Sequence, residues 1–309
     1  MQADKIVLSL CIPTYNRAKV LDGNLRKLHQ QMRGKNLPVE ILVSDNCSSD
    51  ETGEVVRRLL GEGMDLRYIR NASNLGMDRN FAQCYRQAQG RYVAVVGDDD
   101  YLIDDMLDRL VAHLRLGDYG LVHLKVDSES RRGAEEARDV EAFLRTTSYW
   151  LTYITSNVVN RRFIVDYQFE DYFGTYLSIL PLYLRAAVQG RTNLIVHERI
   201  FANGIATKTN GGYSFFGVFC NTYLELWKSW VKVGAISAAT YQAIKRDIYT
   251  RHLLPNVYAL LIRRERSSYA LDGAWLTLLR HYGRHAYFYR GLLRHMAGRA
   301  WRALRLVDR

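Results

Sequence analysis

A chain of 309 residues that is 48% hydrophobic can bury a full core without disulfide or metal staples, and its four cysteines, Cys11, Cys47, Cys84 and Cys220, form no CxxC pair. This excludes a disulfide-framed secreted module, and with no leader pattern and no apolar run of roughly 18 residues the expectation is a cytoplasmic protein, peripheral on the inner face of the plasma membrane. The net charge of +11 is uneven: from Arg251 to Arg309 there are twelve arginines, no lysine and three acids, which points that region toward anionic partners.

IVLSLCI (6–12) is a dense apolar run, the pattern of a parallel strand covered on both faces. Residues 17–33 follow with helical spacing at Val20, Leu21, Leu25 and Leu28. VEILVS (39–44) predicts a second strand. DNCSSDET then opens a helix, with Ser48 or Ser49 as cap and Asp50 and Glu51 favouring its N-terminus. LRYIR (66–70), a helix over 76–89 and YVAVVG (92–97) continue the alternation, which implies βαβ units and an open parallel sheet. A helix is expected from near Leu102. LVHLKV (121–126) and ITSNVVN (154–160) predict later strands, with a mobile polar loop over 127–141. From Phe215 onward the pattern is mainly helical, with Pro255 as its one breaker. The spacing suggests an α/β domain over 1–214 and a helical region over 215–309.

Ligands of open α/β sheets bind beyond the carboxyl ends of the strands. Three polar clusters fall there: PTYNR (13–17), Asp45-Asn46, and Asp98-Asp99-Asp100. Consecutive carboxylates at the end of a buried strand repel one another unless a cation or a partner neutralises them. Mg²⁺ and Mn²⁺ take oxygen ligands, commonly one or two carboxylates plus substrate phosphates, and a diphosphate leaving group gains from that charge. The competing reading is an acidic turn that caps the next helix.

The stretches LSLCIPTYNRAKVL, EILVSDNCSSDET, YIRNASNLGMDRNF and QGRYVAVVGDDDYL, in that order and spacing, resemble family 2 glycosyltransferases of the GT-A fold. Within them they resemble the abequosyltransferase-like enzymes of bacterial surface polysaccharide (O-antigen) synthesis. The resemblance covers residues 5–115 well and loosens beyond 160. It implies a mixed Rossmann-like sheet flanked by helices, a nucleotide-diphosphate sugar donor and a divalent metal. Pro13, Thr14, Tyr15 and Arg17 would line the nucleotide pocket. Asp45 would hydrogen-bond the base, with Asn46 nearby. Asn74, Gly76, Arg79 and Asn80 would shape the wall beside the ribose and diphosphate, although Asn74 and Gly76 also suit an ordinary turn. Aligned on Tyr101, the usual D-S-D-D-W becomes Gly97-Asp98-Asp99-Asp100-Tyr101, which makes Asp99 the best single metal ligand; a plain D-x-D register selects Asp98 and Asp100 instead.

An inverting transfer needs a base for the acceptor hydroxyl. The family's Glu-Asp pair would fall near Ile179-Leu180, where no acid stands, so Asp171, beside Glu170, is the candidate. Ser156 and Asn157 resemble the family's acceptor-side segment. His197 could approach the diphosphate, and the loop 204–214 with Lys208 could close over it; both also suit purely structural roles. Residues 290–307 place Leu292, Leu293, Met296, Ala300, Leu304 and Val307 on one helical face and Arg290, Arg294, Arg299, Arg302 and Arg305 on the other, with Trp301 near the boundary. That is the profile of a helix lying in a membrane interface. An anionic membrane and a lipid-linked saccharide acceptor are therefore the expected partners, with no nucleic acid. A nucleotidyltransferase lacks its Gly-rich phosphate loop in PTYNRAK. A non-enzymatic basic protein is disfavoured because the charge is confined to the tail.

Overall fold

The computed structural model describes residues 6–125, 133–203 and 212–294. They divide into two compact units, one ending at Ala206 and the other beginning at Thr207. In the first unit β1 (Leu8–Thr14), α1 (Ala18–Met32), β2 (Val39–Asp45), α2 (Thr52–Gly61), β3 (Arg67–Arg70), α3 (Met77–Gln87) and β4 (Tyr92–Val95) follow the predicted alternation. The chain continues through β5 (Asp100–Leu102), α4 (Met106–Leu116), β6 (Leu121–Leu124), β7 (Ala134–Ala137) and α5 (Val140–Thr147). It ends with β8 (Asn157–Asn160), α6 (Leu180–Gln189), β9 (Asn193–Val196) and β10 (Phe201–Asn203).

Eight strands form one sheet in the order β3-β2-β1-β4-β8-β6-β9-β7. The β3-β2-β1-β4 portion is parallel, whereas β8 runs antiparallel to both β4 and β6, so the sheet is mixed. β1 is apolar because both its faces are covered: Leu8, Leu10, Cys11 and Ile12 are fully buried, and α1 lays Leu21, Leu25 and Leu28 into the same core. Burial of each such side chain is worth about 1.5–3 kcal/mol. Register then fixes the site. Thr14 pairs with Asp45 and Asp45 with Arg70, while Cys11 pairs with Val95, so three residues further on Thr14 comes abreast of Asp98.

Three local expectations give way. Residues 100–102 extend rather than open a helix, because they pair antiparallel with Phe201–Asn203, a partner too distant in sequence for local patterning to reveal. The described part of the expected loop at 127–141 contains β7, an exposed edge strand whose AEEA composition carries no apolar alternation and which is held by backbone pairing to β9. Ile154–Ser156 is a tight turn, and the strand begins only at Asn157.

The second unit is helical. Helix Tyr223–Lys232 follows a wide-turned stretch over Val218–Thr222, and a further helix runs from Ala238 through 262. Pro255 does not break it. Wide turns over Tyr249–Leu253 and Val257–Ile262 bracket the proline and accommodate its missing N–H. Trp227, Tyr223, Tyr249, Tyr282 and Phe288 fill the core. No described helix is long and apolar enough to cross a membrane. The tail predicted over 290–307 is described only as far as Arg294, and the loop at 204–214, Lys208 included, only from Gly212.

Candidate functional site

The carboxyl ends of β1, β2 and β4 carry an interlocked set of polar side chains. Asn16 takes a left-handed conformation (φ 52°) in which its amide oxygen accepts the Ser49 N–H at 2.8 Å, while its own N–H donates to Ser48 Oγ at 2.9 Å. Asp50 accepts the Ala18 N–H at 3.0 Å, so an acid from the β2 loop caps α1. With its other oxygen it accepts from the Thr52 hydroxyl at 2.6 Å. Burial acts against the Asp50 charge, but these hydrogen bonds outweigh it and lower the pKa. The PTYNR turn and the DNCSSDET turn are thus one structure, with Pro13 half-buried and Tyr15 exposed at its rim.

Asp45 is fully buried. One oxygen accepts the Ser48 N–H at 2.8 Å and the other the Tyr68 hydroxyl at 2.6 Å, with Arg70 Nε at 3.5 Å. Asn46 donates to Asn74 Oδ1 at 2.8 Å and accepts the Leu75 N–H at 2.9 Å, which fixes the turn ending at Gly76 (φ 81°), a conformation that favours glycine. Asn80 is buried and clamps α3 to Ser44, accepting its hydroxyl at 2.7 Å and donating to its carbonyl at 3.1 Å. Arg79 turns to the outer side of α3, over the Phe173 ring.

The acid turn is held from three sides. Thr14 donates to Asp98 at 2.9 Å, and Arg17 spans two acids, pairing with Asp98 and, at 2.8 Å, with Asp99. Asp100 faces the other way and accepts from the Tyr153 hydroxyl at 2.7 Å and the Thr155 hydroxyl at 2.5 Å. Asn24, on the buried face of α1, donates to the carbonyls of Gly97, Asp98 and Asp100. A β-carbon on Gly97 would lie 2.8 Å from Asp100 Oδ2, so glycine there lets the turn fold back on itself. Burial raises Asp98 to about 6 despite Arg17 and Thr14, and burial likewise raises Asp100. The repulsion expected among three carboxylates is met by an internal cation, Arg17, and by divergence of the side chains.

The two registers differ in geometry. Asp98 and Asp100 aim at different protein donors and do not converge, and among the described residues no three His, Cys, Asp or Glu side chains form a metal cage. Asp99 is 27% exposed and gives only Oδ2 to Arg17. One partly exposed carboxylate, completed by substrate phosphates, is a donor set that Mg²⁺ or Mn²⁺ accepts.

Other expected site residues lie elsewhere. Glu170 pairs with Arg86 at 2.7 Å, nine residues beyond the start of α3 and so about 13 Å down that helix from the crevice. Asp171 is exposed on the turn Phe169–Tyr172. Ser156 and Asn157 are buried and spend their polar groups on the carbonyls of Trp150, Leu151 and Tyr153, bracing the turn that carries Tyr153. His197 directly follows β9, three strands from β4, with Nε2 3.3 Å from Glu135. Asp78, which sequence reasoning passed over, stands in the first turn of α3 and accepts from Ser178 Oγ and the Gly174 N–H, both at 2.7 Å. A small cleft beside it is lined by Met77, Thr152, Ile154 and Tyr176. Asn24, Tyr153 and Thr155 were also missed; Asn24 left the one clue, an amide amid the leucines of an apolar helix face.

The family model described as glycosyl transferase family 2 matches residues 9–173, more than half of the chain and the whole of this crevice. The chain is similar to abequosyltransferase RfbV of Salmonella typhimurium, 39% identical over 110 residues that make up 35% of this chain and 33% of that protein. It is 34% identical over 105 residues to the Campylobacter jejuni GalNAc(5)-diNAcBac-PP-undecaprenol beta-1,3-glucosyltransferase, covering 34% and 33%. These matches span about a third of the length of the curated relatives. In fold the chain is similar to Staphylococcus aureus TarS 1–349 crystallised with UDP-GlcNAc, with TM-score 0.62 and 18% identity over 82% of this chain and 76% of that one. It is also similar to the Pyrobaculum calidifontis mannosyltransferase PcManGT in complex with GDP-Man and Mn²⁺, with TM-score 0.51 and 16% identity over 95% and 87%. The strand order, the crevice at the carboxyl ends of β1, β2 and β4, and the span of the match lead to one assignment: the chain belongs to glycosyl transferase family 2.

Proposed function

We propose that this protein is an inverting glycosyltransferase that moves a sugar from a nucleotide-diphosphate donor to a lipid-linked saccharide in bacterial surface-polysaccharide (O-antigen) synthesis. The observation that carries the reading is the convergence of Thr14, Arg17, Asp98 and Asp99 at one row of strand ends, inside the segment that matches the family. The donor's nucleoside would lie along Pro13–Arg17 and Asn46, against the turn from Asn74 to Gly76. Asp45, with both oxygens taken, would act on the base through what it holds in place, the Ser48 backbone and Arg70.

A divalent ion, Mn²⁺ or Mg²⁺, would be held by Asp99 with Asp98 behind it and would supply charge neutralisation for the departing diphosphate. The planar guanidinium of Arg17 suits bidentate contact with phosphate oxygens once they compete for it. The structural neighbours crystallised with UDP-GlcNAc, and with GDP-Man and Mn²⁺, support this class of donor. For the base, Asp78 is favoured over Asp171. It stands at the crevice end of α3 and bonds Ser178, next to the place near Ile179-Leu180 where the family pattern would put an acid.

The test is a panel of nucleotide sugars with lipid-linked acceptors, read by mass spectrometry. One donor should yield a product larger by one sugar, and Asp99→Ala should abolish it while the protein stays folded. Near-wild-type turnover in Asp99→Ala would refute the metal assignment, and absence of both transfer and nucleotide binding would refute the function.

A further inference from the structure

The helical unit turns an apolar and basic face outward. Helix Ala274–Tyr282 buries Ala274, Leu278 and Tyr282, yet leaves Trp275, Leu276 and Leu279 at 43%, 65% and 47% exposure. Large apolar residues at i, i+1 and i+4 normally form the buried stripe of a helix; here they form a solvent-facing one. The helix over 286–294 repeats the arrangement. Tyr289, Arg290, Leu293 and Arg294 are exposed on one side while Phe288 is buried. Tyr289 donates its hydroxyl to the Gly283 carbonyl at 2.8 Å, which ties this helix to the end of the preceding one. Arg280, Arg284, Arg290 and Arg294 are exposed, and no Asp or Glu occurs from Gly273 to Arg294.

We propose that this face docks the protein on an anionic lipid bilayer. Exposed Trp and Leu enter the headgroup boundary while arginines beside them meet lipid phosphates, and neither contribution alone gives stable anchoring. Charge argues against the other occupants. A symmetric contact with a second copy would press this acid-free arginine face against itself. Nucleic acid would leave Leu276, Leu279 and Leu293 without apolar cover. The surface lies in described residues and does not depend on the tail beyond Arg294. It also does not depend on sugar transfer, so loss of activity with intact docking would leave it standing.

The test is flotation of the full-length protein with vesicles of phosphatidylcholine alone or with about 30% phosphatidylglycerol added. Wild type should float with the anionic vesicles, less so as salt rises. The triple variant Leu276→Ser, Leu279→Ser, Leu293→Ser keeps every charge and alters only exposed positions, so its circular dichroism and melting should match wild type. Its binding should fall about tenfold or more. Trp275→Phe should reduce fluorescence quenching by brominated acyl chains. Vesicle binding by the triple variant equal to wild type would overturn the proposal. A wild-type dimer in ultracentrifugation that the triple variant dissociates would overturn it too, and give the face to a second copy.

Discussion

Replacing Arg17 with methionine removes the charge that faces Asp98 and Asp99 while keeping most of the side chain's bulk. Asp98 lies at about 6 because burial outweighs the help of Arg17 and Thr14. Against the ordinary value of 3.8, the folded state therefore holds its proton more tightly than the unfolded one. Wild type consequently loses about 3 kcal/mol from this group as pH rises from 3.8 to 6, and nothing more above it. Without Arg17 the carboxyl is raised further and holds its proton to higher pH, which caps the damage. The pH-dependent part of the destabilisation is at most about 1.4 kcal/mol at pH 7 and about 2.7 kcal/mol at pH 8, and it is close to zero at pH 5. The Asp99 contact, 27% exposed at both ends, adds about 0–1 kcal/mol. At pH 7 the sum falls below the roughly 3–5 kcal/mol of a buried pair that cannot protonate. Urea unfolding of wild type and variant with chelator present, at pH 5, 7 and 8, measures the difference directly. A gap that stays constant across that range would show that Arg17 does not hold the charge of Asp98, and the electrostatic description of the crevice would fail.

Asp78→Asn should lower kcat about 100-fold or more with donor affinity retained, whereas Asp171→Asn should change it less than about threefold; the reverse ranking would return the base to Asp171. In the helical unit, burial lowers His252 from 6.5 to about 4, with its ring packed against Phe215 and Phe219. The unfolded chain then gains a proton first as pH falls. Stability is full above pH 6.5 and drops by about 3 kcal/mol toward pH 4. His252→Leu should flatten that acid limb in denaturant titrations, and an unchanged limb would mean another group carries it.

The parallel half of the sheet was legible because β1, β2 and β4 are continuous apolar runs with a polar cluster at each end, a pattern that local sequence records in full. The antiparallel additions were not. β5 and β10 pair across some hundred residues, and β7 is an edge strand stabilised by backbone bonds that its Ala and Glu side chains do not announce. The same divide runs through the site. Asp98 and Asp99 stand out as a motif, and Thr14 and Arg17 sit in a recognisable turn. The clamp of Asn24 on three carbonyls, and the grip of Tyr153 and Thr155 on Asp100, depend on contacts that exist only after folding. Glu170 and Asp171 show the same limit: their sequence neighbourhood suggests a catalytic pair, and only the fold reveals that Arg86 pairs with Glu170 near the far end of α3 while Asp171 faces solvent.

The account rests on the strand-end crevice being a seat for a nucleoside diphosphate that an outward Asp99 helps to hold through a metal. Isothermal calorimetry of the wild-type protein with a panel of nucleoside diphosphates, with and without Mn²⁺, measures this most directly. One nucleoside diphosphate should bind, and bind at least about tenfold more tightly with Mn²⁺ present. Binding of none of them, or equal affinity with and without the metal, would contradict the claim.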